Sequence, residues 1–267
     1  MTPSDDARRA ALERLIDHAA LFPPASLPMD AALDEDRRAR ASAEAWMLGR
    51  FICPASKLGE LPADPPRLSV VVDGEPSADP STLPIELVEA RGVAVERIRA
   101  RYGDEVEVYV ELPVDDRLEA ALAGLAAIDV GAKIRCGGVT AEAFPSVEAV
   151  ARFVHSCHEA GVRWKATAGL HHPIRHVDPA TGFHMHGFLN LLAAAAFADA
   201  GEEEVRAILA EEDPAAFVLD ARGLAVHGQS ADAEALARVR RERLVAYGSC
   251  SFAEPVEDLT ALGVLPV

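Results

Sequence analysis

Eight short, mostly apolar runs punctuate this chain, at 15–21, 50–54, 68–72, 85–88, 106–112, 130–138, 163–169 and 244–251. Their length and their Val, Ile, Leu and aromatic content predict β-strands. Most of the gaps between them have helical periodicity, notably 29–40, 93–102, 117–127 and 146–160. Strands alternating with helices imply parallel pairing, because each crossover returns the chain to the same edge. Eight such units in 267 residues predict an α/β fold of the (β/α)8 TIM-barrel type, and no GxGxxG or P-loop favours an open doubly wound sheet. The third connection, 74–82, is rich in proline and short for a helix.

One stretch exceeds a minimal barrel. Some 75 residues separate Gly169 from Leu244, where a loop and a helix would suffice. The pattern there predicts a His-rich loop, an apolar helix at 187–200, a second helix at 202–211, a hairpin at 217–226 turning at Arg222-Gly223, and a helix at 231–241. The expectation is one domain over 1–267 with an insertion at about 170–243. Following a strand's C-terminal end, that insertion is expected over the C-terminal face, as a lid or a dimerisation element.

Composition narrows the partners. Against 26 basic residues stand 43 acidic ones, a net charge of −17, which disfavours nucleic acid and anionic membrane surfaces. A small-molecule substrate is expected, with a homo-oligomer open. Cys53, Cys136, Cys157 and Cys250 show no paired spacing and read as buried, reduced thiols. The charged start at 1–9 leads into an amphipathic helix without a signal-like apolar stretch, and no window approaches a membrane span of roughly 20 apolar residues. These features predict a cytoplasmic protein.

Two runs place a lysine where a buried strand is expected: Lys133 in Val130-Gly-Ala-Lys-Ile-Arg-Cys-Gly-Gly138 and Lys165 in Arg163-Trp-Lys-Ala-Thr-Ala-Gly169. Side chains alternate across a strand, so Lys133 shares a face with Arg135, and Lys165 shares one with Thr167 and Gly169. An amine beside a second cation loses its proton more readily, and a neutral amine can attack a carbonyl. On the fifth run, Glu107, Tyr109 and Glu111 share one face and valines the other.

With the strands laid out, the chain resembles deoxyribose-phosphate aldolase, a class I aldolase family built on a (β/α)8 barrel. Leu15-Ile-Asp-His18 is similar to the family's opening motif, Ile52-Cys-Pro-Ala-Ser56 to its second strand, and Gly248-Ser-Cys-Ser251 to its eighth. The resemblance covers most of 15–169 and returns at 244–252. It implies a Schiff base on Lys133, tuning by Lys165, Glu86 as the acidic proton shuttle, and Ser249 and Ser251 near a substrate phosphate. The chain departs from the family after both lysines. Ile-Arg-Cys-Gly follows Lys133, adding the cation of Arg135, and Ala-Thr-Ala-Gly169 follows Lys165 in place of a glycine pair.

The expected activity is therefore an aldolase-like lyase acting without a cofactor on a small aldehyde, ketone or sugar-derived substrate. Lys133 would be the nucleophile, Lys165 and Arg135 the neighbouring cations, and Glu86 with Asp17 or Glu111 the proton carriers. Thr167, Gly169, His171, His172, Arg175, Ser249 and Ser251 complete the candidate binding set. The same carboxylates could instead neutralise the lysines in a structural layer. Five histidines, His171, His172, His176, His184 and His186, offer another chemistry, a metal-dependent hydrolase or isomerase using this cluster, with His184 and His186 as the candidate ligands. A third reading is a non-catalytic barrel that binds a sugar or organic acid.

Overall fold

The computed structural model describes residues 6–266. Segment 1–5 of the expected charged leader lies outside the described residues, and the amphipathic helix expected after it is Ala7–Leu12. Eight parallel strands close into a barrel: Ile16–His18, Leu48–Pro54, Leu68–Val71, Ile85–Ala90, Glu107–Glu111, Gly131–Arg135, Trp164–Thr167 and Leu244–Ser249. We number them one to eight. Each pairs with its neighbours in sequence, and strand eight closes on strand one through Ile16↔Tyr247, Asp17↔Gly248 and His18↔Ser249. The expected (β/α)8 architecture is thus present.

The helices after strands one, four, five and six are Met29–Arg40, Val95–Tyr102, Leu118–Ala126 and Val147–Glu159. The last shows how the sequence builds them. Ser146 caps its start by accepting from the Ala149 N–H, and Val150, Phe153, Val154 and Cys157 form the buried stripe. Strands two and three are followed only by short 3-10 turns, Ala55–Glu60 and Pro80–Thr82. Too few residues separate these strands, and too many of them are proline, for a full α-helical crossover.

Register sorts the side chains. In parallel pairs, partnered residues point the same way, so Glu111↔Lys133 and Lys133↔Lys165 form one inward row, with Arg135↔Thr167 one step nearer the strands' C-terminal ends. Tyr109↔Glu89 belongs to the same inward parity. Strand four carries an irregularity: Leu68 pairs Ile85 while Ser69 pairs Leu87, leaving Glu86 as the extra residue.

The segment between strands seven and eight divides in two. Residues 170–187 contain a small hairpin, His176–Val177 with His184–Met185, that covers the exits of strands six to eight. Phe183 meets Phe144 of the strand-six loop at 5.4 Å between rings, and His186 Nε2 lies 2.8 Å from the Pro145 carbonyl. The remainder runs the other way. The helix Phe188–Ala196, buried through Ala195, lies against strand eight and is sheathed by Glu202–Ala210. A three-stranded sheet, Val218–Leu219, Gly223–Val226 and Gln229–Asp232, extends the expected hairpin by one strand. This sheet packs on helices Ala7–Leu12 and Ala233–Glu242, on the barrel's flank toward the strands' N-terminal ends. The segment expected as one insertion at about 170–243 thus consists of a short hairpin-bearing stretch followed by two helices, a small sheet and the helix Ala233–Glu242.

Candidate active site

Five strands, one, four, five, six and seven, deliver a charged layer to the barrel interior. Lys165 donates to Asp17 Oδ2 at 2.9 Å and to Glu89 Oε1 at 2.5 Å. Lys133 pairs with the other oxygen of the same carboxylate, Glu89 Oε2, at 2.7 Å, and with Glu111 Oε2 at 3.3 Å. The two ammonium groups thus lie on opposite oxygens of one carboxylate. Ser69 on strand three adds a hydroxyl donor to Glu89 Oε1 at 2.8 Å. Asp17 is held from below by the Arg50 N–H at 2.8 Å. Gly49 makes that possible, since a Cβ there would collide with Asp17 Oδ1.

The layer is asymmetric. The Lys165 side chain is 0 % exposed and held by two short contacts, whereas Lys133 is 5 % exposed and its second contact is looser. Burial works against the Lys165 ammonium, but Asp17 and Glu89 outweigh it and raise its pKa above the ordinary lysine value. Burial likewise opposes the Glu89 anion, yet Lys133 and Lys165 hold its carboxyl well below the usual carboxylate range. Lys165 is therefore a fixed cation and Glu89 a fixed anion. Glu111 continues the layer outward: its Oε1 faces Arg135 Nε at 3.7 Å and Arg91 Nη1 at 3.8 Å.

Several expected residues join this site and others do not. Lys133, Lys165, Asp17, Glu111 and Arg135 converge. Glu86 does not. As the bulged residue near the start of strand four, it is taken up by Arg14 at 2.5 Å, Arg50 at 3.0 Å and Arg67 at 3.5 Å, at the opposite end of the barrel. The carboxylate that bridges the two lysines is Glu89, three residues further on, rather than Glu86, the expected proton shuttle. Thr167 stands beside Gly248, where an added Cβ would approach its Oγ1 to 3.2 Å. Gly169 has φ +68° and presses on Gly137, so the exits of strands six and seven touch through backbone alone.

The rim of strands seven and eight carries carboxylates. His171 Nδ1 lies 2.9 Å from Glu254 Oε2, and His172 Nδ1 lies 2.6 Å from Asp258 Oδ2, both acids on the closing helix Ala253–Ala261. His171 also lies 3.7 Å from the Cys250 sulfur, a neighbour that sequence order conceals. Burial raises the Cys250 thiol, which argues against a thiolate nucleophile. Ser249 is buried, its Oγ accepting from the Ser251 N–H at 3.4 Å, while Ser251 Oγ accepts from the Glu254 N–H at 3.3 Å. Arg175 turns away to Glu212 at 3.3 Å.

The histidine alternative loses its geometry. His184 is exposed near Glu212, whereas His186 is buried against Pro145, and burial lowers the His186 pKa to about 4. Among the described residues no three His, Cys, Asp or Glu side chains converge as metal ligands. None of the described helices is long and apolar enough to cross a membrane.

Lysine usage singles out the layer. The chain has only three lysines, Lys57, Lys133 and Lys165, against 23 arginines. Two of the three lysines lie in the barrel interior, and positive charge elsewhere in the chain is almost all arginine. Fold and site together define a (β/α)8 barrel with a buried lysine pair bridged by a single carboxylate. Comparison with models of known protein families and with curated proteins finds no match.

Proposed function

We propose that this protein is a class I aldolase-type lyase that makes or breaks a carbon–carbon bond through an imine on Lys133. The observation that supports it is the shared carboxylate: two amines of unequal freedom on one Glu89, inside a closed barrel. In this fold catalytic groups come from the C-terminal ends of several strands.

The asymmetry divides the roles. Lys165 stays charged and anchored, fixing Glu89 and supplying positive potential. Lys133, with the looser contact and an outlet past Glu111, is the group that a carbonyl can reach. Attack requires its free amine, and the departing proton passes through Glu111 toward solvent. The amine nitrogen bonds to the carbonyl carbon, the oxygen leaves as water after taking up two protons, and an iminium remains. A carboxylate of the layer then accepts the proton from the adjacent carbon, giving an enamine that adds to a second carbonyl. Hydrolysis frees the product and restores Lys133.

Enamine formation has a direct readout. In D2O, the protein should exchange the hydrogens next to the carbonyl of acetaldehyde, hydroxyacetone or pyruvate, followed by proton NMR. Lys133→Met should abolish the exchange. Absence of exchange with the whole panel, or exchange that survives in Lys133→Met, would sink the reading.

A further inference from the structure

Resting on the imine at Lys133, we infer that the carbonyl substrate is a short oxo acid whose carboxylate is bound by Arg135 with help from Arg91. The inference comes from where the unused positive charge lies. Arg135 follows Lys133 by two residues on the same strand and the same face, which places its Cα about 6.6 Å further toward the mouth. Its side chain is 51 % exposed, and it forms no hydrogen bond among the described residues, meeting Glu111 only as an ion pair at 3.7 Å. Arg91 is 80 % exposed and meets the same oxygen at 3.8 Å. Two guanidinium groups thus share one carboxylate oxygen, loosely, while the other oxygen of that carboxylate faces Lys133. Most of their N–H donors remain free to form the planar, two-point grip that suits a carboxylate.

The opposite rim argues the same way. Glu254 and Asp258 stand beside His171 and His172, and Arg175 is turned to Glu212. An anion arriving at a molecule of net charge −17 meets carboxylates at strands seven and eight and spare guanidinium at the exits of strands four and six. Because Arg135 rises from the same strand as the nucleophile, the anionic group and the carbonyl belong close together in the substrate, as in a 2-oxo or 3-oxo acid.

Reductive trapping separates this inference from the reading beneath it. The full-length protein is treated with borohydride and one of three probes: pyruvate, methyl pyruvate or glycolaldehyde phosphate. Lys133 gains the probe less one oxygen atom, as water leaves and borohydride supplies hydride while solvent supplies a proton. Rates at Lys133 are divided by those at free N-acetyl-lysine to remove intrinsic reactivity. Pyruvate should then exceed its neutral ester by 10- to 100-fold, the range expected of hydrogen bonds to a charged group. Arg135→Gln should remove most of that acid-over-ester ratio, whatever it does to the two rates in common, and Arg135→Lys should recover part of it. Equal normalised rates for acid and ester, or an unchanged preference in Arg135→Gln, would overturn the inference while leaving the imine standing. A phosphate probe that outpaces pyruvate would overturn the carboxylate in favour of phosphate. Failure of every probe to label Lys133 would overturn the imine and this inference with it.

Discussion

Replacing Glu89 by glutamine is the sharpest perturbation of the charged layer. The amide keeps the shape and can still accept from Ser69, but the negative charge that Lys133 and Lys165 share is gone. Lys165 retains only Asp17 at 2.9 Å and Lys133 only Glu111 at 3.3 Å. Removing one partner of a buried ion pair costs about 3–5 kcal/mol, because the remaining charge is left uncompensated. Glu86→Gln makes the contrast: its carboxylate is 31 % exposed and two of its three arginines, Arg14 and Arg67, are substantially exposed, with only Arg50 at 14 % largely buried, so its cost should fall below that of Glu89→Gln. Urea melts at pH 7, followed by far-UV circular dichroism and by the fluorescence of Trp164 next to Lys165, measure both variants. The pH dependence adds a second readout. The folded Glu89 carboxyl titrates below its ordinary value near 4.5, so below that pH the unfolded chain binds a proton the folded one refuses. Its stabilisation is complete above about pH 4.5 and is lost as pH falls toward the folded value, so Glu89→Gln should flatten the acid limb. A cost near 1 kcal/mol for Glu89→Gln, or an equal cost for Glu86→Gln, would refute the placement of Glu89 at the centre of the layer.

Other predictions follow from the same contacts. The Lys165 pKa lies above its ordinary value near 10.5, so its contribution is fully present below that pH and is lost as pH rises through the folded value; Lys165→Met should lower stability at pH 7 and weaken the alkaline dependence in a pH-resolved melt. His186 titrates near 4 when folded against 6.5 when free, so it stabilises fully above pH 6.5 and loses about 3 kcal/mol on acidification through pH 4; His186→Gln should show a smaller change across that window, and an identical slope would contradict the burial argument. Gly49→Ala should cost about 1–3 kcal/mol by driving a methyl into Asp17, and it should slow Lys133 trapping as well, since Asp17 anchors Lys165; unchanged stability would show that the Asp17 cradle can yield.

Much of the fold was legible because it rests on periodicity. All eight strands lie where the apolar runs fall, and the helix expected at 29–40 is Met29–Arg40. The inward face of strand five was legible for the same reason: alternation puts Glu107, Tyr109 and Glu111 on one side whatever the tertiary context. Glu89 was not legible, because the bulge at Glu86 shifts register within strand four, and a one-residue shift exchanges the faces. A signal was nonetheless present in the sequence: Glu89 is a carboxylate in an apolar run that continues to Ala90, and charges inside such runs are rarely buried without a partner. Lysine scarcity was a second signal available from the sequence alone. The course of 188–243 could not be read, since no local pattern says which flank of a barrel a helix and a small sheet will cover. The proximity of His171 to Cys250 joins positions 79 apart in the chain, a relation that only closure of the barrel creates.

The account stands on Lys133 as the nucleophile and Lys165 as its immobile neighbour. With only three lysines in the chain, peptide mapping of a borohydride-reduced carbonyl adduct tests this division directly. The predicted result is one adduct per chain, on Lys133, with Lys57 and Lys165 unmodified. An adduct on Lys165, or labelling spread over Lys57 without enrichment at Lys133, would contradict it.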